Sequence, residues 1–429
     1  MHIKVLIIDL GSKFNLFGGQ ARLAATLNKR LNGGFTTFYM GYETSYSHGM
    51  KNPTFISRGG RIGISARKSP ISEMRIPRLA YNLLVVSRMA DLDREKLVRR
   101  AREIKPDIVI ANSIQDINLI RLFKRSGMDF KSVYIDHGSV STSIAGYMSK
   151  EGIPLTFGTG LDSISLSRKK SKFFNFYDAN VALNQGQLSA MCNFTDKVAL
   201  IPNGIGRVHK PSKAALALLA KRLGIRHRDF VVLYIGRMFD RQKNVSALIR
   251  AFTQTSEKRL RLLLVGDGLS LPLYAGLAGN DDRIIFAGPA KEKEIDAIYA
   301  ISDLFALPSI WEGFSLTLLE AAAHSLPMII SRNAYIDDLK TGAVGRIVSF
   351  DPNNIAEIRE KIIRMYKDAA MRRAAVKVSE SISREFTEEK MIGKYRSLLK
   401  RLAAGRMQSG IVPTKTPYLH KLRLSRNRQ

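Results

Sequence analysis

Residues 308–331 of this 429-residue chain read PSIWEGFSLTLLEAAAHSLPMIIS. The apolar run ISDLFAL leads into this stretch, and the apolar run PMIIS closes it. The pattern predicts a buried strand, a loop that carries Glu312, a helix with Ser315 as its N-cap, and a second buried strand. Ligands in open α/β sheets bind outside the carboxyl ends of the strands, where loops lead into helices. The stretch therefore predicts an α/β fold and places a candidate binding loop in it.

The same alternation of short apolar runs and longer amphipathic stretches extends through the whole chain. Strand candidates are IKVLIID, FTTFYM, DIVIAN, SVYID, ANVALN and VALIPN, followed by FVVLYIG, RLLLVG, RIIFAG, LFALP, MIIS and GRIVS. Helix candidates lie between them, for example GQARLAATLNKRL, DREKLVRRAREI, VSALIRAFTQT and KEIDAIYAI. Strands that alternate with helices are typical of doubly wound parallel sheets. Two such series predict two Rossmann-like domains.

The domain boundary is predicted near the turn IPNG, between Pro202 and Pro211. We assign residues 1–204 to an N-terminal Rossmann-like domain and residues 205–385 to a C-terminal one. Residues 386–405 form a predicted final helix, and residues 406–429 form a basic flexible tail.

The composition is that of an ordinary globular protein, with 45% hydrophobic and 8% aromatic residues. No apolar run reaches the roughly 18 residues that a membrane span needs. The N-terminus, MHIKVLIIDLGS, is interpreted as a first buried strand and not as a signal peptide. Cys192 is the single cysteine, so the chain can form neither an intrachain disulfide nor a cysteine metal cage. These features favour a cytoplasmic protein.

The net charge of +31 comes from 68 Lys and Arg against 37 Asp and Glu. A large positive net charge attracts nucleic acid, anionic lipid headgroups or phosphorylated small molecules. The charge alone does not distinguish among these three classes of ligand. Residues 58–78 predict a long basic loop, and residues 79–90, LAYNLLVVSRMA, follow it. Together these segments suit the surface of an anionic membrane. A core helix beside a solvated loop is the alternative interpretation.

Four loops at predicted strand ends carry groups suited to a phosphorylated ligand. Glycines allow a phosphate to approach backbone amides, and helix N-termini favour anions. An arginine and a lysine can clamp a diphosphate. The loops hold Gly18 and Gly19; Gly236, Arg237 and Lys243; Asp267; and Glu312.

Glu312 and Glu320 flank the start of the helix in the opening stretch. Glu320 lies about five residues into the helix, roughly 7–8 Å along its axis. A diphosphate at the helix N-terminus would then have a carboxylate on each side. Carboxylates repel a diphosphate unless they bind hydroxyl groups or are offset by cations, which Arg237 and Lys243 can supply. The spacing suits a nucleotide diphosphate-sugar, and a helix with two solvated acids is the alternative.

The segments YIGRMFDRQKN, LLLVGDG, FAG and PSIWEGFSLTLLEAAAHSLPMIIS, in this order and spacing, resemble the retaining glycosyltransferases of family 4. The resemblance covers the C-terminal half from IPNG onward. GGQARLAATL, KPDIVIANS and YIDHGS match more loosely in the first half, and REFTEEKMIGKYRSLL is similar to the family's last helix. The resemblance implies the GT-B fold: two Rossmann-like domains face each other across a cleft, and the last helix crosses back to the first domain.

The resemblance also implies roles for individual residues. Arg237 and Lys243 would bind the donor diphosphate and stabilise the leaving group, and Glu312 would contact the donor sugar. Glu320 would bind the ribose, and His137 would lie near the sugar and acceptor. The remaining implied donor-binding residues are Gly18, Gly19, Gly236, Asp267, Gly313, Phe314, Ser315 and Leu316. The family usually has glycine at Asn244 and commonly at Ser325, and Asn244 is expected to need a different turn.

The implied reaction moves a sugar from a nucleotide diphosphate-sugar, UDP or GDP, to an acceptor hydroxyl with retention. No cofactor or metal is expected, because Asp91 and Asp93 of the DLD motif precede a helix and suit N-capping. The acceptor, chosen by the N-terminal domain, would be a glycan, a lipid-linked glycan or a lipid at the cytoplasmic membrane face. No specific nucleic acid is expected. The alternatives are a GT-B nucleotide-sugar epimerase, a phosphorylase-like enzyme with pyridoxal on a lysine, and a basic polyanion-binding protein.

Overall fold

The computed structural model describes residues 2–10, 19–44, 46–56, 93–137, 170–334 and 347–405. Several sequence predictions lie outside these ranges. They are Gly18, the basic loop over residues 58–78, the apolar segment over residues 79–90, Asp91 and the tail over residues 406–429.

The first sheet contains seven parallel strands in the order β3-β2-β1-β4-β5-β6-β7. Side chains of the interior strand β1 are buried on both faces apart from that of Lys4, which explains the nearly continuous apolar run. The edge strand β3 has three residues and no apolar run, so the sequence did not reveal it. The strands are β1 Ile3–Asp9, β2 Phe35–Gly41, β3 Pro53–Phe55, β4 Ile108–Ala111, β5 Lys131–Asp136, β6 Ala179–Ala182 and β7 Val198–Leu200.

The second sheet contains six parallel strands in the order β10-β9-β8-β11-β12-β13. All residues of β8, β11 and β12 are buried, as the apolar runs predicted. The strands are β8 Phe230–Ile235, β9 Leu260–Val265, β10 Ile284–Gly288, β11 Leu304–Leu307, β12 Met328–Ser331 and β13 Val348–Phe350.

Helices connect the strands and cover both faces of each sheet. The described α-helices are α1 Gly19–Arg30, α2 Arg94–Ile104, α3 Ile117–Arg125, α4 Gln185–Cys192, α5 Lys213–Arg222, α6 Asp240–Lys243, α7 Val245–Thr253, α8 Leu271–Ala278, α9 Ile295–Ala300, α10 Leu316–Ala323, α11 Ile355–Lys367, α12 Ala369–Glu385 and α13 Glu388–Ala403. Asp93 caps α2 by accepting a hydrogen bond from the Lys96 amide at 2.9 Å, which confirms its predicted capping role. Among the described helices, none combines the length and the apolar run that crossing a bilayer requires.

The final helix α13 crosses back to the N-terminal domain. Its approach is fixed where Ile205 pairs with the chain on both sides of Thr387: the Ile205 amide donates to the Phe386 carbonyl, and the Glu388 amide donates to the Ile205 carbonyl, each at 2.9 Å. Arg30 at the end of α1 forms an ion pair with Glu388 at 2.7 Å. One buried core cluster contains apolar side chains of both sheets and of α13. The two domains and the crossover helix therefore share a common core.

Candidate functional site

The carboxyl ends of the two sheets meet at close contacts between loops and helix N-termini. A Cβ atom placed on Gly19, the first residue of α1, would lie 3.2 Å from Cδ1 of Leu316, the first residue of α10. A Cβ atom on Gly313 would lie 2.9 Å from the carbonyl oxygen of His137, just after β5. The structure thus brings four of the predicted site residues together from both domains.

The helix α10 begins as the opening stretch predicts. Ser315 is its N-cap, and the Ser315 hydroxyl accepts a hydrogen bond from the Leu318 amide at 3.3 Å. The amides of the first turn have no partner within the helix, so this end of α10 favours an anion. The buried strand β11 and the loop after it set the position of this end of α10 beside the cleft.

Lys243 and Glu312 form a largely buried ion pair in the loop that precedes α10. The Lys243 Nζ lies 2.6 Å from Glu312 Oε1, and the two side chains are 14% and 7% exposed. The hydroxyl of Ser309 donates to the same carboxylate oxygen at 2.6 Å. Lys243 and Glu312 were predicted as separate site residues. They lie 69 residues apart in the chain and are in direct contact in the structure.

Arg237 extends from the end of β8 and is exposed. Its Nη2 donates to Gln242 Oε1 at 2.9 Å, and its carbonyl accepts a hydrogen bond from the Tyr234 hydroxyl at 2.8 Å. The Gln242 carbonyl in turn accepts from the Ile310 amide at 2.8 Å, within the Glu312 loop. Arg237 is thus linked to that loop through Gln242.

The loop after β9 approaches the loop after β8 at backbone level. A Cβ atom on Gly266 would lie 1.9 Å from the Gly236 carbonyl oxygen, so only glycine fits at this position. The Asp267 carbonyl accepts from the Met238 amide at 2.8 Å, and its exposed carboxylate accepts from the Gly268 amide at 2.7 Å. Gly236 and Asp267 therefore line adjacent strand ends, as predicted.

Glu320 lies on the buried side of α10 and has two partners. Its Oε2 accepts a hydrogen bond from the Tyr299 hydroxyl at 2.7 Å. Its Oε1 forms an ion pair with Arg22 of α1, which belongs to the other domain. Sequence reasoning missed both Arg22 and Tyr299, because nothing in the local sequence of either residue indicates a partner on α10. Arg22 lies three residues after the predicted glycine turn, which is the only signal that could have drawn attention to it.

His137 follows β5 and is held by Asn112, which follows β4. The Asn112 amide nitrogen donates to the Gln20 carbonyl at 2.9 Å, so its side-chain oxygen faces His137 Nε2 at 3.0 Å. The His137 Nε2 therefore carries a proton and donates it. Burial lowers the pKa of His137 to about 4, against the opposing effect of the neighbouring Asp136 carboxylate. The imidazole is neutral at pH 7, with Nδ1 as an acceptor.

Buried carboxyl groups at the end of the first sheet are a further feature that the sequence analysis did not single out. The Asp116 side chain accepts from the amides of Leu10 and Ser113 at 2.9 and 2.7 Å. Burial, together with the charge of Asp9 at the end of β1, raises the pKa of Asp116 well above its usual range. Through these two hydrogen bonds, Asp116 connects the loop after β1 with the loop after β4, and the second of these loops contains Asn112.

The carbonyl groups of the predicted donor loop contact the first domain. Asn184 donates its side-chain amide to the Gly313 carbonyl, and Asn203 donates to the Phe314 carbonyl at 3.0 Å. The Phe314 ring is buried and packs against Phe386, with ring centroids 5.2 Å apart. The side chain of Phe314 is thus part of the core, and its backbone faces the other domain.

The two departures from the family pattern both occupy left-handed backbone. Asn244 has φ 51° and Ser325 has φ 55°, a region that glycine adopts without steric penalty. The Asn244 side chain donates to the carbonyls of Pro308 and Pro352, at 3.3 and 2.8 Å. Asn244 thus occupies a left-handed turn of the kind that glycine favours, and its side chain adds two hydrogen bonds.

Comparison with known proteins identifies relatives of the C-terminal half. Residues 229–368 match the model of the family described as glycosyl transferases group 1. N-acetyl-alpha-D-glucosaminyl L-malate synthase of Bacillus anthracis is 29% identical over 192 residues, which are 43% of this chain and 49% of that protein. Alpha-monoglucosyldiacylglycerol synthase of Acholeplasma laidlawii is 31% identical over 156 residues, which are 33% and 39% of the two chains. The chain matches about half the length of these curated relatives, or less.

The whole fold has solved counterparts. The crystal structure of HepE from Anabaena in complex with UDP-glucose superimposes with a TM-score of 0.70 at 18% identity, covering 93% of this chain and 100% of that chain. At this identity the likeness shows the fold, and it confirms the predicted GT-B architecture. Residues 229–368 are thus similar to the glycosyl transferases group 1 family, and the chain as a whole has the GT-B fold.

Proposed function

We propose that this protein transfers a sugar from a nucleotide diphosphate-sugar, UDP- or GDP-linked, to an acceptor hydroxyl. The observation that carries the proposal is the Lys243–Glu312 pair, which lies beside the N-terminus of α10 where the two domains meet. The cation and the helix amides are suited to bind a diphosphate, and the carboxylate is suited to accept hydrogen bonds from the hydroxyl groups of the attached sugar.

The charges of the site fit a departing nucleoside diphosphate. Lys243 and Arg237 supply positive charge beside the N-terminus of α10, whose amides also favour an anion. Groups that are fixed before the reaction stabilise charge on the leaving phosphate without having to reorganise. The proposed mechanism therefore rests on this chain's own cations and amides and uses no metal ion.

Glu312 is proposed to orient the donor sugar and not to attack it. Its Oε1 is already bound by both Lys243 and Ser309, each at 2.6 Å. A carboxylate held by a cation and a hydroxyl is a weakened nucleophile and a suitable acceptor for sugar hydroxyls. This arrangement supports retention through attack of the acceptor on the face from which the diphosphate leaves, without a covalent glycosyl-enzyme.

The proposed acceptor is a glycan, a lipid-linked glycan or a lipid at the cytoplasmic face of a membrane. The net charge of +31 favours an anionic surface. One relative in the C-terminal half is named as a synthase of a glucosyldiacylglycerol, which supports a lipid among the acceptors to be tested first.

Thermal unfolding with a panel of nucleotides and nucleotide-sugars tests the donor site. A ligand at about 100 times its dissociation constant adds roughly 2.7 kcal/mol to the free energy of unfolding. We expect an upward shift for one nucleoside diphosphate, lost in Lys243→Met and Glu320→Gln and kept in Lys258→Met, which changes an exposed lysine before β9. The absence of a shift for every nucleotide in the folded wild-type protein would overturn the proposal. Conversion of the donor sugar without any acceptor would instead identify an epimerase.

A further inference from the structure

The helix α5 exposes apolar side chains on the C-terminal domain. Leu218 is 71% exposed, more than any other large apolar side chain in the residues that the structure describes. The exposed positions before it on the helix are Ala214, Ala215 and Ala217, and the exposed Lys221 and Arg222 follow one turn later on the same face. A leucine this exposed, with cations on the same face of the helix, combines an apolar side chain with groups that can bind lipid phosphates.

The other side of α5 is already packed against the protein. Leu219 is buried in the core that joins the domains, and Leu216 and Leu223 pack against that core. Residues three and four positions apart lie on one face of a helix, so Leu216, Leu219 and Leu223 form the inner face. The outer face of a surface helix is normally polar. The outer face of α5 instead combines the exposed Leu218 and alanines with Lys221 and Arg222, and no contact within the described residues accounts for the exposed leucine.

Cations flank the apolar face at both ends, and all of them are exposed. Residues 206–228 contain no aspartate or glutamate. Within the described part of the chain, Arg222 alone among these cations has an ion pair, to Glu294 at 2.8 Å. Lys213 lies in the first turn of α5, where the helix dipole disfavours positive charge. The cations are Arg207, Lys210, Lys213, Lys221, Arg222, Arg226 and Arg228.

The surface is held rigidly at both ends of the helix. The Arg222–Glu294 pair fixes the end of α5, and the His209 amide donates to Asp296 Oδ2 at 3.1 Å before the helix begins. A short helix whose outer face presents an exposed leucine together with cations suits a bilayer surface, where acyl chains lie just below anionic headgroups.

We propose that the outer face of α5 docks the protein onto an anionic lipid surface, with Leu218 inserted between headgroups and the flanking lysines and arginines on lipid phosphates. This surface lies on the C-terminal domain and is built from other residues than the basic loop and tail predicted from the sequence. Lipid binding by α5 does not require sugar transfer, so this inference and the proposed activity can fail separately.

Flotation of the full chain with vesicles of equal parts phosphatidylcholine and phosphatidylglycerol tests the inference. Leu218→Glu removes an exposed side chain and places a negative charge on the docking face. We expect its partition to these vesicles to fall by about tenfold or more relative to wild type. Leu273→Glu is the matched control, because Leu273 is 48% exposed on α8, which packs on the opposite face of the same sheet.

Four outcomes would overturn the inference. Leu218→Glu could bind the anionic vesicles as wild type does, or Leu273→Glu could lose binding to the same extent. The wild type could bind pure phosphatidylcholine vesicles equally well, or bind single-stranded DNA and no vesicles. The unfolding temperature and the nucleotide-induced shift of Leu218→Glu are expected to equal those of wild type, which separates loss of docking from loss of folding or of the donor site.

Discussion

Arg22 of α1 and Glu320 of α10 form an ion pair that joins the two domains across the cleft. The carboxylate is 8% exposed and the guanidinium 29% exposed, and Tyr299 occupies the second carboxylate oxygen. Both oxygens of the residue that is proposed to bind ribose are therefore already engaged within the protein.

The substitution of Arg22 is expected to lower the free energy of unfolding more than the substitution of the more exposed Arg30. Arg22→Met leaves a buried carboxylate without its cation and should lower the free energy of unfolding by about 1–3 kcal/mol. Arg30→Met, which breaks the exposed pair to Glu388, should cost less than about 1 kcal/mol. Urea unfolding of Arg22→Met, Glu320→Gln and the double variant measures the coupling. Strictly additive losses would show that the pair contributes nothing.

Lys243 is expected to recognise the diphosphate and not the nucleoside. Lys243→Met should weaken binding of the nucleoside diphosphate by about 10- to 100-fold, because a hydrogen bond to a charged group contributes roughly 1.5–3 kcal/mol. Calorimetric titration with the diphosphate and with the corresponding nucleoside separates the two contributions. An equal loss for both ligands would mean that the substitution disturbs the whole loop.

Ser325→Gly is expected to stabilise the protein by about 1 kcal/mol, because glycine adopts φ near 55° without the strain that serine carries. Asn244→Gly relieves similar strain and also removes two side-chain hydrogen bonds, so it should be neutral or destabilising by about 1 kcal/mol. Thermal unfolding of both variants checks the contrast. A gain from Asn244→Gly as large as that from Ser325→Gly would argue against any contribution from the asparagine amide.

Stability is expected to fall in acid partly through His137. The unfolded chain protonates this histidine near pH 6.5, and the folded protein does so near pH 4. The contribution of neutral His137 is thus fully present above pH 6.5 and is lost as the pH falls toward 4, by up to about 3 kcal/mol. The difference in unfolding free energy between wild type and His137→Gln, followed from pH 7 to pH 4, isolates this effect from that of Asp116. A difference that does not vary with pH would contradict the lowered pKa.

Gly313→Ala is expected to impair domain contact more than Gly19→Ala does. The new Cβ atom at position 313 meets a backbone carbonyl at 2.9 Å, whereas the one at position 19 meets the end of the flexible Leu316 side chain at 3.2 Å. Sugar transfer in a donor and acceptor screen should therefore fall strongly in the first variant and little in the second. The reverse order would show that the two domains do not meet in this way during turnover.

The fold could be predicted from the sequence where local patterns are sufficient. The apolar run IKVLIID predicts β1, and the N-cap residue Ser315 predicts the start of α10. The short strand β3 was missed, because its three residues form no apolar run. The helix α5 was not among the helices named from the sequence, although Leu216, Leu219 and Leu223 recur at helical spacing.

The site could be predicted only in part. Glu312 and Lys243 were found through their motifs, although nothing in either motif indicates that they form a pair. Arg22 was not found, because its partner Glu320 belongs to the other domain. Asn112 was not singled out, because its contacts with Gln20 and His137 come from separate segments of the first domain.

The crossing of Ile205 with the chain at Thr387 places two connections between the domains side by side. A single tether permits twisting in every direction, whereas two adjacent tethers leave mainly one hinge axis, which runs along their line of contact. Gly204 lies on this axis, and a Cβ atom there would stand 2.3 Å from the Thr387 carbonyl oxygen. A side chain at this single position would therefore push the two connections apart at the junction of the domains.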